Sequence, residues 1–363
     1  MPLERTCYYC LKTVKNQFRR HLSKHGDVDM NAYTLLTTFL ETPEPKSSEP
    51  DISVRPHMEL ARLIKEMICK TEGLSNRYFL SAEECQVKGV TDEDILNDCL
   101  HSFDKNKSTV YYSDEPCSPQ KVANLIPVLA QLKEPSPARV AYATNLGPGD
   151  GVRRPQRFAG EATESEMKTH TNITPEGTFI DLHIDQGYEG ITLLGMGCVK
   201  LWVVYPPTEH NLAIWDTHRK SREIFKNSWD QLQDGKVAVQ TGKEAILLIP
   251  GLLHLTFTLK GGIAYGITWI TESCLKVTPK LLEIEDRHFR DLGSDDLSPF
   301  LESVLTCMKR EGSKQDALRA LCKMPKIQAV KKNELFNKIK AEIGPGDCFH
   351  CRRRWRNHWF LRI

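Results

Sequence analysis

His183-Ile184-Asp185, in the strand-like segment GTFIDLHIDQG, and His254, in AILLIPGLLHLTF, are the residues of this chain whose types and spacing best suit metal chemistry. Two imidazoles and one carboxylate fill one face of an octahedral iron(II) and leave three positions open for substrates. In an extended strand residues i and i+2 project to the same side, so His183 and Asp185 can reach one ion without backbone strain. The third ligand must come from a distant strand brought alongside, and His254 suits that part. His-x-Asp alone is a weak signal: a chain with 12 His meets it by accident, and a satisfied polar pair at a strand end explains it too.

The surrounding elements narrow the choice. A run of strand formers, VKLWVVYPP, follows the first two ligands, and AILLIPGLLHLTFTLKGGIAYGITWI reads as a strand pair carrying His254. Pro250-Gly251 breaks that pair just before the His, and Gly261-Gly262 turns it just after. Strand, strand, turn, His, strand is the order in which a small β-barrel would set ligands around its mouth.

The stretch FIDLHIDQGYEGITLLGMGCVKLWVVYPPTEHNLAIW resembles the Jumonji-C (JmjC) domain, in particular the branch with the F-box and plant-homeodomain-finger histone lysine demethylases. The matching positions are His183-Ile184-Asp185-Gln186-Gly187, Lys200, Pro206-Pro207-Thr208, Asn211-Leu212, Ile249-Pro250-Gly251 and His254. The likeness covers residues 140 to 275. It implies an α+β chain built on a double-stranded β-helix (cupin or jelly-roll) barrel flanked by N- and C-terminal helices. It also implies an Fe(II)- and 2-oxoglutarate-dependent dioxygenase, with His183, Asp185 and His254 as the iron ligands at the catalytic centre. Such an enzyme oxidises a substrate C–H bond. On an N-methyl-lysine the hemiaminal collapses to formaldehyde and the demethylated amine; on another side chain the product is a stable alcohol.

The resemblance further implies that Lys200 pairs with the distal carboxylate of 2-oxoglutarate. Lys200, Trp202 and Val204 share one strand face, and an ammonium turned into a barrel needs an anion to offset its desolvation. A solvated lysine at a strand start is the alternative. Two positions depart from the family pattern. Three residues before His183, where that branch has a Thr whose hydroxyl touches the cosubstrate, stands Ile180; ten residues after it, where Tyr or Asn is usual, stands Leu193. Losing two hydrogen bonds to a charged group weakens binding by about 1.5–3 kcal/mol each. Thr192, beside Leu193 but off register, and Tyr142 or Asn145, on the preceding strand ARVAYATNLG, are the candidate replacements; Tyr142 serves equally well as a core aromatic.

Near the N-terminus, Cys7-x2-Cys10-x10-His21-x3-His25 has both ligand pairs of a Cys2His2 zinc site, the histidines one helical turn apart. The interval of ten between the pairs is shorter than the usual 12 and shortens the hairpin. Phe18 and Leu22 supply a small apolar core, and a unit this size needs the metal to fold. Lys12, Lys15, Arg19 and Arg20 give it basic character, so contact with DNA and contact with protein are both open. A second cluster, Cys348-x2-Cys351 with His350 and His358, lacks a fourth zinc ligand at an established spacing. The interleaved Arg352, Arg353, Arg354, Trp355, Arg356 and Trp359 suit phosphate contact and base stacking, or a solvated basic tail.

The net charge of +2 provides no global field for nucleic acid, so any such contact is local. No apolar run approaches about 18 residues, and MPLERTCYYC lacks the apolar stretch of a secretory signal, so neither a membrane span nor export is expected. The 12 cysteines then read as thiols or metal ligands rather than disulfides. A zinc finger over 1–40 precedes a Pro/Ser/Glu-rich linker over 41–57. A helical support region follows over 58–135, with Leu60, Leu63, Ile64, Met67 and Ile68 on one face, a capping box at Thr91–Asp94, and an N-cap at Ser118-Pro119. The barrel spans 136–277, helices 278–345, and the Cys/His/Arg-rich tail 346–363. A long polar loop over 147–177 reads as a substrate-contacting lid or as disorder. The resulting expectation is a nuclear, chromatin-associated oxygenase whose partner is a protein substrate such as a histone tail. A side-chain hydroxylase or a non-catalytic zinc-finger scaffold stands as the alternative.

Overall fold

The computed structural model describes residues 4–41, 55–101, 103, 109–112, 125–135, 139–147, 151–158, 168–185, 187–288, 294–310, 313–323 and 333–343. Along the chain these form β1 (Arg5–Thr6), β2 (Thr13–Val14), α1 (Phe18–Leu22), α2 (Met30–Leu40), α3 (Arg55–Lys70), β3 (Phe79–Ser81), α4 (Ala82–Cys85), α5 (Asp92–His101), β4 (Thr109–Tyr112), α6 (Ile126–Lys133), β5 (Ala141–Leu146) and β6 (Lys168–Thr174). There follow β7 (Phe179–Ile184), β8 (Glu189–Gly195), β9 (Val199–Tyr205), α7 (Glu209–His218), α8 (Ile224–Ser228), β10 (Lys236–Gln240), β11 (Glu244–Leu248), β12 (Leu253–Lys260) and β13 (Gly262–Trp269). Four helices close the described chain: α9 (Glu272–His288), α10 (Ser294–Met308), α11 (Lys314–Lys323) and α12 (Glu334–Glu342).

The class is mixed α+β. Among the described residues, beyond the short β1–β2 hairpin, there are two antiparallel sheets, a four-stranded one in the order β10-β9-β12-β7 and a seven-stranded one in the order β3-β11-β8-β13-β6-β5-β4. They remain separate sheets and do not join into one closed barrel. Side-chain alternation assigns their faces. Trp202, Val204 and Ala238 of the smaller sheet pack with Ile246 and Leu248 of the larger in a shared inner cluster. The indole N–H of Trp202 donates to Gln240 Oε1 at 2.9 Å, and the Gln240 amide donates to the Thr192 carbonyl at 2.8 Å, tying the sheets together.

The outer faces are covered by helices. Leu201, Val203, Leu253, Leu255 and Phe257 pack against Leu36 of α2 and Leu60 and Ile64 of α3; the α3 stripe Leu60, Leu63, Ile64, Met67 and Ile68 is wholly buried. Ile173, Ile191, Leu193, Ile263 and Ile267 of the larger sheet pack against Ile95, Cys99 and Val128. The capping box forms at α5: the Thr91 N–H donates to Asp94 Oδ2 at 2.8 Å and the Asp94 N–H to Thr91 Oγ1 at 3.2 Å. Helices α9–α12 enclose a cluster of their own around Phe300, Leu301, Leu318 and Phe336. Among the described residues no helix is long and apolar enough to cross a membrane.

Several expectations need correction. The expected loop over 147–177 contains β6, paired with β13 throughout and with β5 in part. Its sequence KTHTNIT is polar but strongly β-branched, and its alternation puts Thr171 and Ile173 on one face. The expected helical region over 58–135 also carries β3 and β4, which extend the larger sheet at its two edges. Helix α6 begins at Ile126; the expected N-cap at Ser118-Pro119, most of the linker and the tail over 346–363 lie outside the described residues.

Candidate metal centre and its inner wall

The antiparallel pairing of β7 with β12 sets His183 directly opposite His254. Between this pair and the next, Ile180 opposite Thr256, β7 advances three residues while β12 advances two. Asp181 and Leu182 together therefore face Leu255, a β-bulge. In a regular strand Ile180 and His183 would point to opposite faces; the bulge turns both inward. It also frees Asp181 to reach outward, where its carboxylate accepts the N–H groups of Ile224 at 2.7 Å and Phe225 at 3.1 Å, capping the start of α8. Burial raises the Asp181 carboxyl above its usual range, against the pull of these N–H donors and that of Leu182.

Both rings are held by the main chain. His183 Nδ1 lies 2.8 Å from the Asp181 carbonyl and His254 Nδ1 lies 3.0 Å from the Leu252 carbonyl. A carbonyl only accepts, so each Nδ1 carries the proton and each Nε2 presents a bare lone pair, the tautomer a metal requires. The ring centroids are 4.1 Å apart, and the two Nε2 atoms lie 3.7 and 3.8 Å from the two Asp185 oxygens. One donor atom from each of the three residues falls within 4.8 Å of the others, a spacing that one ion can bridge. Burial, then repulsion from His254, pushes His183 down to about 4. Burial acts to raise Asp185, but the imidazoles of His254, His183 and His170 outweigh it and hold the carboxyl below its usual range. His254 is buried whereas the Asp185 side chain is half-exposed, so the cluster opens on the Asp185 side.

Lys200 lies on the inner face of β9, 3 % exposed, and desolvation lowers its ammonium. Among the described residues no carboxylate or carbonyl bonds to it. Thr192 also turns inward and is buried, while Leu193 points into the outer cluster beneath α5. Leu193, the tenth residue after His183, is therefore outward, and Thr192 one residue earlier takes the inner face. Tyr142 is buried and stacks on Tyr111 with ring centroids 5.4 Å apart, on the face of β5 opposite to Ala141 and Ala143 of the outer cluster. Asn145 takes a left-handed φ of 57°, its N–H donating to Asn172 Oδ1 at 3.1 Å. His170, without a role from the sequence, lines up on β6 beside Gly266; a Cβ there would meet its ring at 2.9 Å.

The N-terminal ligands also converge. Cys7 Sγ lies 3.6 Å from His25 Nε2, Cys10 Sγ lies 3.2 Å from His21 Nε2, and all four donor atoms fall within 4.8 Å of one another. Burial raises the Cys7 thiol and lowers His25. The unit is not a free finger: Cys7, Tyr8 and Leu22 belong to the core that holds β9 and β12, and the Tyr8 N–H donates to Tyr33 Oη of α2 at 2.9 Å. Its helix α1 has only five residues, with Arg19 and Arg20 exposed and Lys15 paired to Glu4 at 2.9 Å.

No protein-family model matches the sequence, and no curated protein matches it.

Proposed function

We propose that this chain is an Fe(II)- and 2-oxoglutarate-dependent oxygenase acting on protein, and that its reaction is demethylation of a histone N-methyl-lysine by hydroxylation of the methyl group. The carrying observation is the convergence of two bare Nε2 lone pairs and the Asp185 carboxylate. A mixed nitrogen and oxygen set on one face of an ion suits iron(II) and leaves coordination sites on the open side. The Lys200 ammonium, unpaired among the described residues, suits a cosubstrate with a second carboxylate. Two facing antiparallel sheets accord with the double-stranded β-helix that the JmjC resemblance implies.

Bound at the triad, iron and 2-oxoglutarate would supply the oxidising power that hydroxylates a substrate C–H bond. The chain's own part is positional. The carbonyls of Asp181 and Leu252 keep the two imidazoles from turning. Lys200 draws the free carboxylate inward, and Trp202, with its ring 5.7 Å from His254, excludes water from the inner wall. At the N-terminus Cys7, Cys10, His21 and His25 suit zinc, serving as a structural ion. Arg19 and Arg20 of that unit and the basic tail over 346–363 are the surfaces proposed for DNA, in a nuclear setting.

The test is turnover by the full chain with iron(II), 2-oxoglutarate and methyl-lysine histone peptides. Succinate and formaldehyde should form, and His183→Ala should abolish both. A peptide that gains one oxygen without formaldehyde would make the chain a side-chain hydroxylase. Ile180, an apolar residue on the inner face, favours the scaffold reading, and absence of both cosubstrate binding and succinate would establish it.

A further inference from the structure

We propose that Thr256 and Thr258 of β12 act with Lys200 as hydrogen-bond donors to the distal carboxylate of the 2-oxo acid. The inference rests on the oxygenase reading above and assigns two residues to its cosubstrate site. His254, Thr256 and Thr258 alternate along β12 and share its inner face, opposite to Leu253, Leu255 and Phe257 in the outer core. Strand register sets Thr258 directly across from Lys200, and Thr256 across from Trp202 on one side and Ile180 on the other. One strand therefore carries a polar row from the metal ligand to the ammonium, about 13 Å at the usual rise per residue.

Both hydroxyls are buried, at 3 % and 0 % exposure, and among the described residues neither Oγ1 has a hydrogen-bond partner. A buried hydroxyl without a partner lowers stability relative to an isosteric methyl group, and a buried ammonium without an anion does so more strongly. Three such groups on two adjacent strands share one remedy, an anion whose oxygens accept from all of them. A carboxylate has the acceptor capacity for the ammonium and both hydroxyls together. The pairing of Thr256 with Ile180 moves a hydroxyl one strand across from the position where the apolar side chain stands, so the inner wall keeps a donor at that level.

The test is equilibrium binding by the full chain loaded with manganese(II), with 2-oxoglutarate as one probe and 2-oxobutyrate, which lacks the second carboxylate, as the other. Thr256→Val and Thr258→Val should each weaken 2-oxoglutarate binding by about ten-fold or more. Affinity for 2-oxobutyrate should hold, and the melting temperature of the metal-free chain should hold or rise. Thr256→Ser should retain the affinity, and adding Ile180→Thr to Thr256→Val should restore it. Valine variants that bind 2-oxoglutarate as the unsubstituted chain does would overturn the inference while leaving the oxygenase reading in place. Equal loss for both probes would mark general damage to the site and also count against it. An unsubstituted chain that binds manganese(II) but not 2-oxoglutarate would overturn both.

Discussion

His183 and His254 are a registered cross-strand pair whose rings are both anchored through Nδ1 to main-chain carbonyls, with centroids 4.1 Å apart. The anchors fix the tautomer that a divalent ion at Nε2 would need, so the pair is preorganised for one. Alanine at either His, or at Asp185, should remove one bound divalent ion per chain, with little change in far-ultraviolet circular dichroism. Metal content after equilibrium dialysis measures this; full retention of that ion in all three variants would refute the triad.

The bulge at Asp181 holds the pair in place. Asp181→Ala strips acceptors from the N–H groups of Ile224 and Phe225 and should destabilise the chain by about 1–3 kcal/mol. Because the same bulge turns His183 inward, manganese affinity should also fall, by roughly ten-fold. Urea unfolding and manganese titration separate the two effects. Lower stability with unaltered affinity would mean the bulge is only structural.

The metal-free chain should lose stability in mild acid. Burial holds His183 at about 4 in the fold, against roughly 6.5 in an unfolded chain. The unfolded chain therefore takes up a proton between those values that the fold refuses. The contribution of the neutral ring is fully present above about pH 6.5 and disappears as pH falls toward about 4. His170 and His57, lowered by burial, act in the same direction. Urea midpoints at pH 7.5, 6 and 5 should decline in that order; a flat series would contradict the burial of these rings.

Removal of an ion held by Cys7, Cys10, His21 and His25 should be felt well beyond residue 40. Cys7 and Leu22 share a core with Leu253 and Leu255, so losing the cross-link exposes the packing of the four-stranded sheet. Cys7→Ser, or treatment with a strong chelator, should lower the melting temperature by about 10 °C and leave a single transition. Two separate transitions would show that the finger is an independent module.

Lys200→Met removes a buried charge that has no anionic partner among the described residues, while keeping the aliphatic stem. The metal-free chain should become more stable, and binding of 2-oxoglutarate should fall by at least about ten-fold. Calorimetry gives both quantities; a destabilised variant would reveal an anionic partner within the chain.

Local pattern made much of this molecule legible. The i, i+2 spacing of His183 and Asp185, the two ligand pairs at Cys7–His25, the Thr91–Asp94 capping box and the α3 stripe each follow from short-range geometry, which residue order alone encodes. Thr256 and Thr258 alternate with His254 and could have been read in the same way. The polar β6 strand, its His170, and the inward place of Thr192 rather than Leu193 had no such signal. Residue order is enough to say which side chains share a face and which could bind a metal. Which strand lies beside which came from the folded chain: His183 meets His254, Lys200 meets Thr258, and the N-terminal unit docks on the smaller sheet. Strand pairing is made by hydrogen bonds between distant segments, and bulges and turns reset its register.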